Sequence, residues 1–107
     1  MTAGRRKHRI AFQRNVPVDN DHGDRLPDWR PLGDAWAGIA WGRGDERRLG
    51  ASEDRVQAAT FTVLASAMAR GVAGEDRIVL DGQAWNIVGI VPRPDKGEID
   101  FDARRAD

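Results

Sequence analysis

The side chains that could do chemistry in this chain are 17 Asp and Glu, 17 Lys and Arg, and two histidines. The chain has no cysteine, which excludes a thiolate nucleophile, a thiolate zinc site and a disulfide framework. Ser52 and Ser66 lie in no nucleophile motif, and His22 has no nucleophile or partner beside it in sequence. We therefore predict that the chain is not an enzyme and holds no cofactor.

Three aspartates of the first loop, Asp19, Asp21 and Asp24, are the nearest approach to a metal site. A calcium-binding loop of the usual kind has glycine at its sixth position and glutamate at its twelfth. Counted from Asp19, the glycine comes one place early, and Arg30 stands where the glutamate should be. We therefore predict no metal site and interpret the three aspartates as turn residues.

A segment of glycine, arginine and acidic residues forms a long charged stretch at positions 42–55. We interpret it as a polar loop between strands, with one helical turn near positions 45–49. Long loops inside compact domains are uncommon and are often functional. Whichever of Trp36 and Trp41, in the strand before this loop, faces outward would be a candidate contact with a partner protein. The candidate interface residues are Trp41, Arg43, Asp45, Glu46, Arg47 and Arg48.

The elements that must position this loop follow from the pattern of apolar residues, which is clearest in residues 77–91. Asp-Gly at positions 81–82 separates two runs rich in Ile, Val and Trp. This arrangement predicts a β-hairpin, because a two-residue turn needs two residues that tolerate positive φ. Side chains alternate along a strand. The residues predicted to share one face of the hairpin are Ile78, Leu80, Trp85 and Ile87.

Alternation of apolar and polar residues predicts four further strands. They cover residues 9–14, 35–41, 57–65 and 98–103. Residues 56–70 also fit a helical stripe, with Ser52 as its cap and Gly71 at its end. We favour a strand there because the residues at positions 60–63 are β-branched or aromatic. A short turn or helical piece would then lead to Gly71.

Residues 15–33 are rich in turn-forming types, and we interpret them as a long loop around Trp29. Trp36 and Trp41 cannot share a face of a regular strand, because their separation is odd. Either a bulge lies between them, near Gly38, or one tryptophan faces outward. The predicted core consists of Ile10, Phe12, Trp36, Ile39, Phe61, Val63, Ile78, Leu80, Trp85, Ile87, Ile90, Ile99 and Phe101.

Together these patterns predict a mainly β fold. We expect a small antiparallel β-barrel or sandwich of about six strands, with one or two short helical pieces and a long polar loop. The acidic residues of the last strand should face solvent. The length predicts one domain over residues 1–107, with residues 1–8 and 104–107 flexible. Zero net charge argues against general nucleic-acid affinity, and no apolar run approaches the roughly 20 residues of a membrane span.

The order and spacing of several short motifs carry a resemblance to a known family. These motifs are Arg9-Ile10, Phe12-Gln13, Asp21, Gly23, Trp29, Trp36-Ala37-Gly38-Ile39, Gly44-Asp45-Glu46, Asp76-Arg77-Ile78, Gly82, Trp85 and Ile87. From about residue 9 to residue 101, the chain resembles the phage head–tail joining proteins of long-tailed phages and gene transfer agents, which are also called head-closure or stopper proteins. Many relatives have an arginine directly after the middle strand, where this chain has Ala65-Ser66.

The resemblance implies a small β-barrel that forms a homo-oligomeric ring beneath the portal and adaptor of a phage or phage-like particle assembled in the bacterial cytoplasm. Such a ring helps to retain packaged double-stranded DNA and offers a surface to a tail terminator or tail protein. By position, residues 42–55 would face the central channel. Their arginines would meet DNA phosphates or acidic partner loops, and their acids would pair across subunits. The alternative is that these charges only solvate the loop, since exposed ion pairs contribute about 0–1 kcal/mol.

Two other functions stay open on the sequence alone. A small single-stranded nucleic-acid binder of the OB type would need aromatic residues on an open sheet face beside a basic groove. A tail-tube or tail-terminator component would share the ring-forming habit. Neither these functions nor the head–tail function predicts a membrane partner.

Overall fold

Alternating apolar and polar residues produce strands whose apolar faces turn towards one shared axis. The computed structural model of the chain describes residues 6–42 and 56–106. Its elements are β1 (His8–Asn15), β2 (Val18–Asp19), β3 (Arg25–Leu26), β4 (Trp29–Trp41), β5 (Val56–Leu64), α1 (Ala67–Arg70), β6 (Arg77–Leu80), β7 (Gln83–Arg93) and β8 (Glu98–Ala106). Six strands close a barrel in the order β1-β4-β5-β8-β7-β6, and β2 pairs with β3 separately. Neighbouring strands are antiparallel, which confirms the predicted barrel.

The predicted hairpin joins β6 to β7 in the predicted register. Ile78 pairs with Trp85 across the two strands, and both side chains are buried in the barrel. The turn residues Asp81 and Gly82 have φ values of 52° and 78°. A type I′ turn requires positive φ at both positions, so the Asp-Gly pair fixes the turn and with it the register of the two apolar strands.

We expect Gly82→Ala to destabilise the protein by about 1 kcal/mol, because alanine would have to adopt an unfavourable positive φ. No atom lies within 4 Å of the Cβ that would be added, so the cost is conformational rather than steric. Gly74→Ala is the matched control, since its Cβ also meets open space and its φ lies outside the left-handed region. That variant should keep or slightly raise stability. Equal urea midpoints for the two variants would contradict this account of the turn.

The ambiguous residues 56–70 form a strand and then one helical turn. β5 pairs with β8 along its whole length, and Phe61 and Val63 are fully buried on its inner face. Ser66 caps α1, because its Oγ accepts a hydrogen bond of 3.1 Å from the Ala69 N–H. The strand interpretation is confirmed. Among the described residues, no helix has the length and hydropathy of a membrane span.

Residues 15–33 contain more regular structure than a single loop. The loop prediction is wrong there, because β2 and β3 form a short hairpin and β4 already begins at Trp29. Pro31 and Gly33 lie inside β4, although both residue types disfavour strand interiors. They fit because the β1–β4 register shifts directly after Phe12, opposite this stretch, and such a bulge relaxes the ladder.

The barrel interior is filled by the predicted apolar residues with one clear exception. Trp36, predicted to lie in the core, faces outward and is 52% exposed, while its neighbour Ala37 is fully buried. Ile39 and Ile90 are partly buried and pack against the core. The largest buried side chains are Trp85, Phe12, Phe61 and Phe101. A narrow barrel has little room beside four aromatic rings, which accounts for the buried alanines that the core prediction omitted: Ala37, Ala59, Ala69 and Ala103.

The last strand is longer than predicted, and its acids are less exposed. β8 continues through Arg104 and Arg105 to Ala106, where a flexible tail was predicted, because these residues pair with β5. Glu98 and Asp100 alternate with inward-facing apolar residues, yet they are buried rather than solvated. Arginine side chains lie over both carboxylates, so burial leaves neither charge without a partner.

Candidate assembly interface

The alternating strand directions sort the connections of the barrel into two ends. One end, here called the loop end, carries the β4–β5 connection and the β6–β7 turn. The other, here called the hairpin end, carries β2 and β3, α1, and the turn between β7 and β8. The charged loop predicted to be functional therefore leaves the barrel at the loop end.

Trp41 is the last residue of β4 and covers a buried tryptophan at the loop end. Its ring centroid is 5.9 Å from that of Trp85, and the two ring planes are tilted by 55°. Trp41 is 55% exposed, so it shields the inner ring and still leaves part of its own ring open to solvent. Directly after it, Gly42 adopts a φ of 70° and its N–H donates a hydrogen bond of 2.7 Å to the Ala58 carbonyl. This bond fixes the base of the loop.

The odd spacing of the two tryptophans is accommodated without a bulge. β4 pairs in regular register with β5 from Gly38 to Trp41. Trp36 is exposed because it points away from the barrel axis. Trp41 shares the face of the buried Ala37 but is exposed because it lies at the end of the strand. Of the two alternatives drawn from the sequence, the outward-facing tryptophan is correct, and it is Trp36.

The other five predicted interface residues lie outside the described residues, as does the predicted helical turn. They are Arg43, Asp45, Glu46, Arg47 and Arg48. Their contacts stay predictions. The structure does show β4 and β5, the two strands that the loop connects. They remain paired up to Trp41 opposite Ala59, so the loop starts from paired strand ends.

The side chain of Arg105 also lies at the loop end. The Cζ atom of Arg105 is 5.5 Å from the ring centroid of Trp85, and its Nη2 donates a hydrogen bond of 2.7 Å to Gln57 Oε1. These contacts link β8 to β7 and to β5, so three strands brace the base of the loop. Sequence reasoning missed Arg105, because it assigned that residue to a flexible tail.

The outer surface of the barrel carries an exposed apolar patch with a cation beside it. Cζ of Arg9 lies 5.5 Å from the Trp36 ring centroid, and Arg9 Nη2 lies 3.4 Å from Asp34 Oδ2. Leu64 is exposed at the end of β5. Continuing the β4–β5 register by two residues sets Leu64 opposite Trp36. We call these four residues, Arg9, Asp34, Trp36 and Leu64, the Trp36 wall.

The β2–β3 hairpin presents a second exposed apolar face, at the hairpin end. Val18 pairs with Leu26, and together with Val16 these side chains are between 41% and 48% exposed. The other face carries Asp19 and Arg25, whose Oδ1 and Nε atoms are 4.0 Å apart. The hairpin thus separates apolar from charged side chains, although the described residues leave its apolar side chains only partly covered.

The turn of this hairpin is organised by Asn20. Its Oδ1 accepts hydrogen bonds from the N–H groups of His22, at 2.8 Å, and Asp24, at 2.9 Å. Gly23 has a φ of 83°, the left-handed conformation that closes the turn. In the described parts of the chain, no group of His, Asp and Glu side chains has the geometry to hold a metal ion. Asp21 and Asp24 lie in this turn, as interpreted from the sequence, whereas Asp19 lies in β2 opposite Arg25.

An ion pair between the buried Asp76 and the partly exposed Arg14 braces the hairpin end, and sequence reasoning missed it. The two carboxylate oxygens of Asp76 accept hydrogen bonds from Arg14 Nε and Nη2, each 2.9 Å long. Asp76 Oδ2 also accepts the Ala73 N–H at 2.7 Å, and Arg14 donates to the Gly71 carbonyl at 2.9 Å. Burial disfavours the charged form of Asp76, but the hydrogen bonds from Arg14 and Ala73 outweigh it and hold the pKa below its ordinary value.

The acids on the outer side of β8 also have partners within the barrel. Thr62 Oγ1 donates to one oxygen of Asp100 and Arg93 Nε donates to the other, both at 2.7 Å. Thr60 Oγ1 donates to Asp102 Oδ1 at 2.7 Å. The hydrogen bond and the charge of Asp100 raise the pKa of Arg93. These groups hold β5, β7 and β8 together, so their charges are used within the barrel. The candidate interfaces are the surfaces with exposed apolar side chains, namely the loop end, the Trp36 wall and the β2–β3 hairpin.

A closed β-barrel that exposes two tryptophans and the apolar face of a hairpin has the features of an assembly module. The chain belongs to the phage head completion protein family, whose model matches residues 1–105. This match confirms the resemblance to phage head–tail joining proteins. The protein is thus a structural head–tail component of a phage or phage-like particle. No curated protein matches the chain.

Solved structures share the barrel. A chain of the virion of a native gene transfer agent particle is 23% identical, with a TM-score of 0.66 and 94% of each chain covered. The solution structure of protein SF1141 from Shigella flexneri 2a is 17% identical, with a TM-score of 0.69, and the match covers 98% of this chain and 96% of that one. At these identities the likeness shows the fold alone.

Proposed function

We propose that copies of this chain form a ring between the portal or adaptor and the tail, where the ring retains packaged DNA and docks the tail. The observation that carries the proposal is the family match, which spans the barrel and the charged loop together. The barrel also supports it physically. Every barrel strand has a neighbour on both sides over part of its length, so side chains, loops and the hairpin offer most of the surface through which copies can meet. Head-to-tail contacts generate a ring when the rotation from copy to copy closes.

In this proposal the β4–β5 loop lines the channel of the ring, and Trp41 anchors its base. Arg43, Arg47 and Arg48 contact the phosphates of the DNA. Phosphate contacts carry no sequence information, which suits a channel through which any packaged sequence passes. Asp45 and Glu46 pair with basic groups of neighbouring copies. The three-stranded bracing at the loop end fixes the strand ends from which the loop starts in each copy.

Deleting residues 44–51 from the protein in a host particle tests this function. The barrel should still fold, because the shortened connection between Gly42 and Val56 has a length that hairpins commonly tolerate. We expect filled heads to lose DNA or to fail to join tails. Nuclease protection measures the retained DNA, and electron microscopy counts the joined particles. Normal particles after the deletion would remove the loop from the mechanism.

A pair of charge variants separates the arginines from the length of the loop. Arg47→Gln with Arg48→Gln should weaken DNA retention. The matched control is Arg70→Gln with Lys96→Gln, which removes the same charge from two exposed residues at the hairpin end. That control should retain DNA like the unmodified protein. Equal losses in both double variants would show that net charge, and not the loop, is responsible.

The Trp36 wall favours one alternative function, the binding of single-stranded nucleic acid. An aromatic ring with an arginine beside it on an exposed sheet surface can stack a base. Gel-shift measurements with short single strands, at low and then moderate salt, distinguish the two functions. A clear affinity that falls steeply with salt would support nucleic-acid binding, whereas an assembly protein should bind free oligonucleotides weakly or not at all.

A further inference from the structure

We infer that the β2–β3 hairpin of one copy docks on the Trp36 wall of the next copy. This contact rests on the proposed ring, and it names the two surfaces that join adjacent copies. The inference starts from two exposed apolar faces that lie on different parts of the same chain. A contact between unlike faces is the heterologous type, which continues from copy to copy until the ring closes.

The hairpin has the properties of a docking arm. Its two strands pair with each other and stay outside the barrel ladder. Val16, Val18 and Leu26 line one face, and the barrel leaves all three more than 40% exposed. A two-stranded hairpin is marginally stable in water by itself, so a partner surface on this apolar face would stabilise it.

The Trp36 wall has the properties of a receiving surface. Trp36 and Leu64 are both more than half exposed, although they project from a rigid part of the barrel. Tryptophan is among the residues that contribute most at protein interfaces, and a side chain presented by a fixed strand loses little freedom on binding. Asp34 is the acid of this surface, and it already lies beside Arg9.

Charge favours a second copy of the chain as the partner. Residues 16–28 contain four aspartates and one arginine, which gives a net charge of −3 with His22 neutral. Residues 6–9, which lead into the wall, contain two arginines and one lysine, and Arg6 is paired with Glu98. The exposed charges here are Lys7 and Arg9 against Asp34, which gives a net charge of +1. The acidic arm is attracted to this weakly basic surface of another copy, whereas two acidic arms repel, so charge favours the unlike pairing.

The contact between the hairpin and the Trp36 wall is too small to be a complete interface between copies. A protein interface of standard size buries about 800 Å² on each partner. Three aliphatic side chains on one side, with a tryptophan and a leucine on the other, supply only part of that area. The hairpin contact is therefore the anchor of a larger interface, and loss of the anchor should prevent assembly without unfolding the barrel.

Cysteine cross-linking tests the contact directly, because the chain contains no cysteine of its own. Val18→Cys places a thiol on the hairpin and Leu64→Cys places one on the wall. Both positions are exposed, so both variants should fold. In assembled particles, oxidation of the double variant should give a ladder of disulfide-linked multimers up to the ring, and a reductant should return it to monomer. Each single variant should give no product larger than a dimer.

The matched control is Val18→Cys with Val88→Cys, since Val88 is exposed on β7 rather than on the wall. A ladder of equal strength from this pair would overturn the contact, as would a cross-link from the hairpin to a different particle protein. An amine cross-linker applied to unmodified particles separates the remaining outcomes. Multimers with that reagent but monomers from the Val18–Leu64 pair would overturn the docking contact and leave the ring intact. Monomers in both experiments would overturn the ring itself.

Trp36→Ala gives a second, independent measurement. Because Trp36 faces solvent, the variant should keep its thermal midpoint while its incorporation into particles falls about tenfold or more. Trp36→Phe keeps an aromatic surface and should restore most of the incorporation. Full incorporation of Trp36→Ala would contradict the proposed contact.

Discussion

Asp76→Ala should destabilise the protein by about 3 kcal/mol, because it removes the carboxylate that holds the hairpin end together. Asp76 is fully buried and accepts three hydrogen bonds, two from Arg14 and one from the Ala73 N–H. Without it, the Ala73 N–H loses its acceptor, and the Arg14 guanidinium keeps only the Gly71 carbonyl, so a single hydrogen bond of this group still ties the segment between α1 and β6 to β1. Urea unfolding at neutral pH measures the loss.

The control for this prediction is Asp34→Ala. Asp34 also pairs with an arginine, but the Arg9 Nη2 atom is 3.4 Å away and both side chains are more than half exposed. Exposed pairs contribute little, so we expect a loss below about 1 kcal/mol. Equal losses for Asp76→Ala and Asp34→Ala would show that burial of the Arg14–Asp76 pair has no special weight.

The Arg14–Asp76 pair also makes stability depend on pH. The folded pKa of Asp76 lies below its ordinary value. A carboxyl group of this kind stabilises the fold above its unfolded pKa of about 4, and the contribution is lost as the pH falls through the folded pKa. The stability gap between the unmodified protein and Asp76→Ala should therefore be constant between about pH 6 and 8 and shrink below about pH 4. A gap that widened on acidification would show that folding raises this pKa.

Phe101→Ala should destabilise the protein by about 4 kcal/mol, which is a large part of the stability of a small domain. Phe101 is fully buried in β8, and its ring centroid is 5.0 Å from that of Phe12, on the other side of the interior. Its strand neighbours are Phe61 on β5 and Ile90 on β7. Removal of the ring therefore leaves a cavity. The surrounding strands cannot close it, because their backbone hydrogen bonds fix the diameter of the barrel.

Val88→Ala is the control for the core, since it shortens an exposed side chain on the neighbouring strand. Surface changes of this kind usually stay within about 0.5 kcal/mol. Thermal unfolding and urea unfolding should both show that Phe101→Ala is less stable than Val88→Ala. A Phe101→Ala protein as stable as Val88→Ala would mean that the interior of the barrel can collapse around the missing ring.

The local parts of the fold could be predicted from the sequence, because their signals lie within a few residues. Asp81 and Gly82 have the backbone freedom that their turn needs, and the apolar residues on either side alternate with the strand period. In residues 56–70 a helical stripe competed with the β-branched and aromatic residues around Phe61. The strand prevailed because β5 pairs with β8 over its whole length.

Other features could not be predicted, because they depend on distant partners. Arg14 and Asp76 are 62 residues apart, and neither carries a local signal that they form a pair. The outward position of Trp36 depends on how little room the barrel leaves beside its aromatic core. The β2–β3 hairpin escaped notice because each of its strands is two residues long and lies in a segment rich in turn residues.

For the candidate interface, the sequence identified the loop and the tryptophan before it, and the structure shows what holds them. Trp41 was selected as a tryptophan that could face a partner, and it lies exposed over Trp85 at the base of that loop. The contribution of Arg105 depends on β8 continuing beyond the predicted strand, so no local pattern could indicate it. The roles of the charged loop residues stay predictions.

Closure of the barrel is uneven around its circumference. β1 and β6 share three residue pairs, from Ala11 opposite Val79 to Gln13 opposite Arg77, whereas β5 and β8 share nine. The short seam is therefore where the cylinder can part most easily, since fewer backbone hydrogen bonds must break there than anywhere along β5 and β8. We therefore expect amide protons along this seam to exchange with solvent through openings that leave the opposite wall intact, and we expect the two sides of the barrel to differ in resistance to opening.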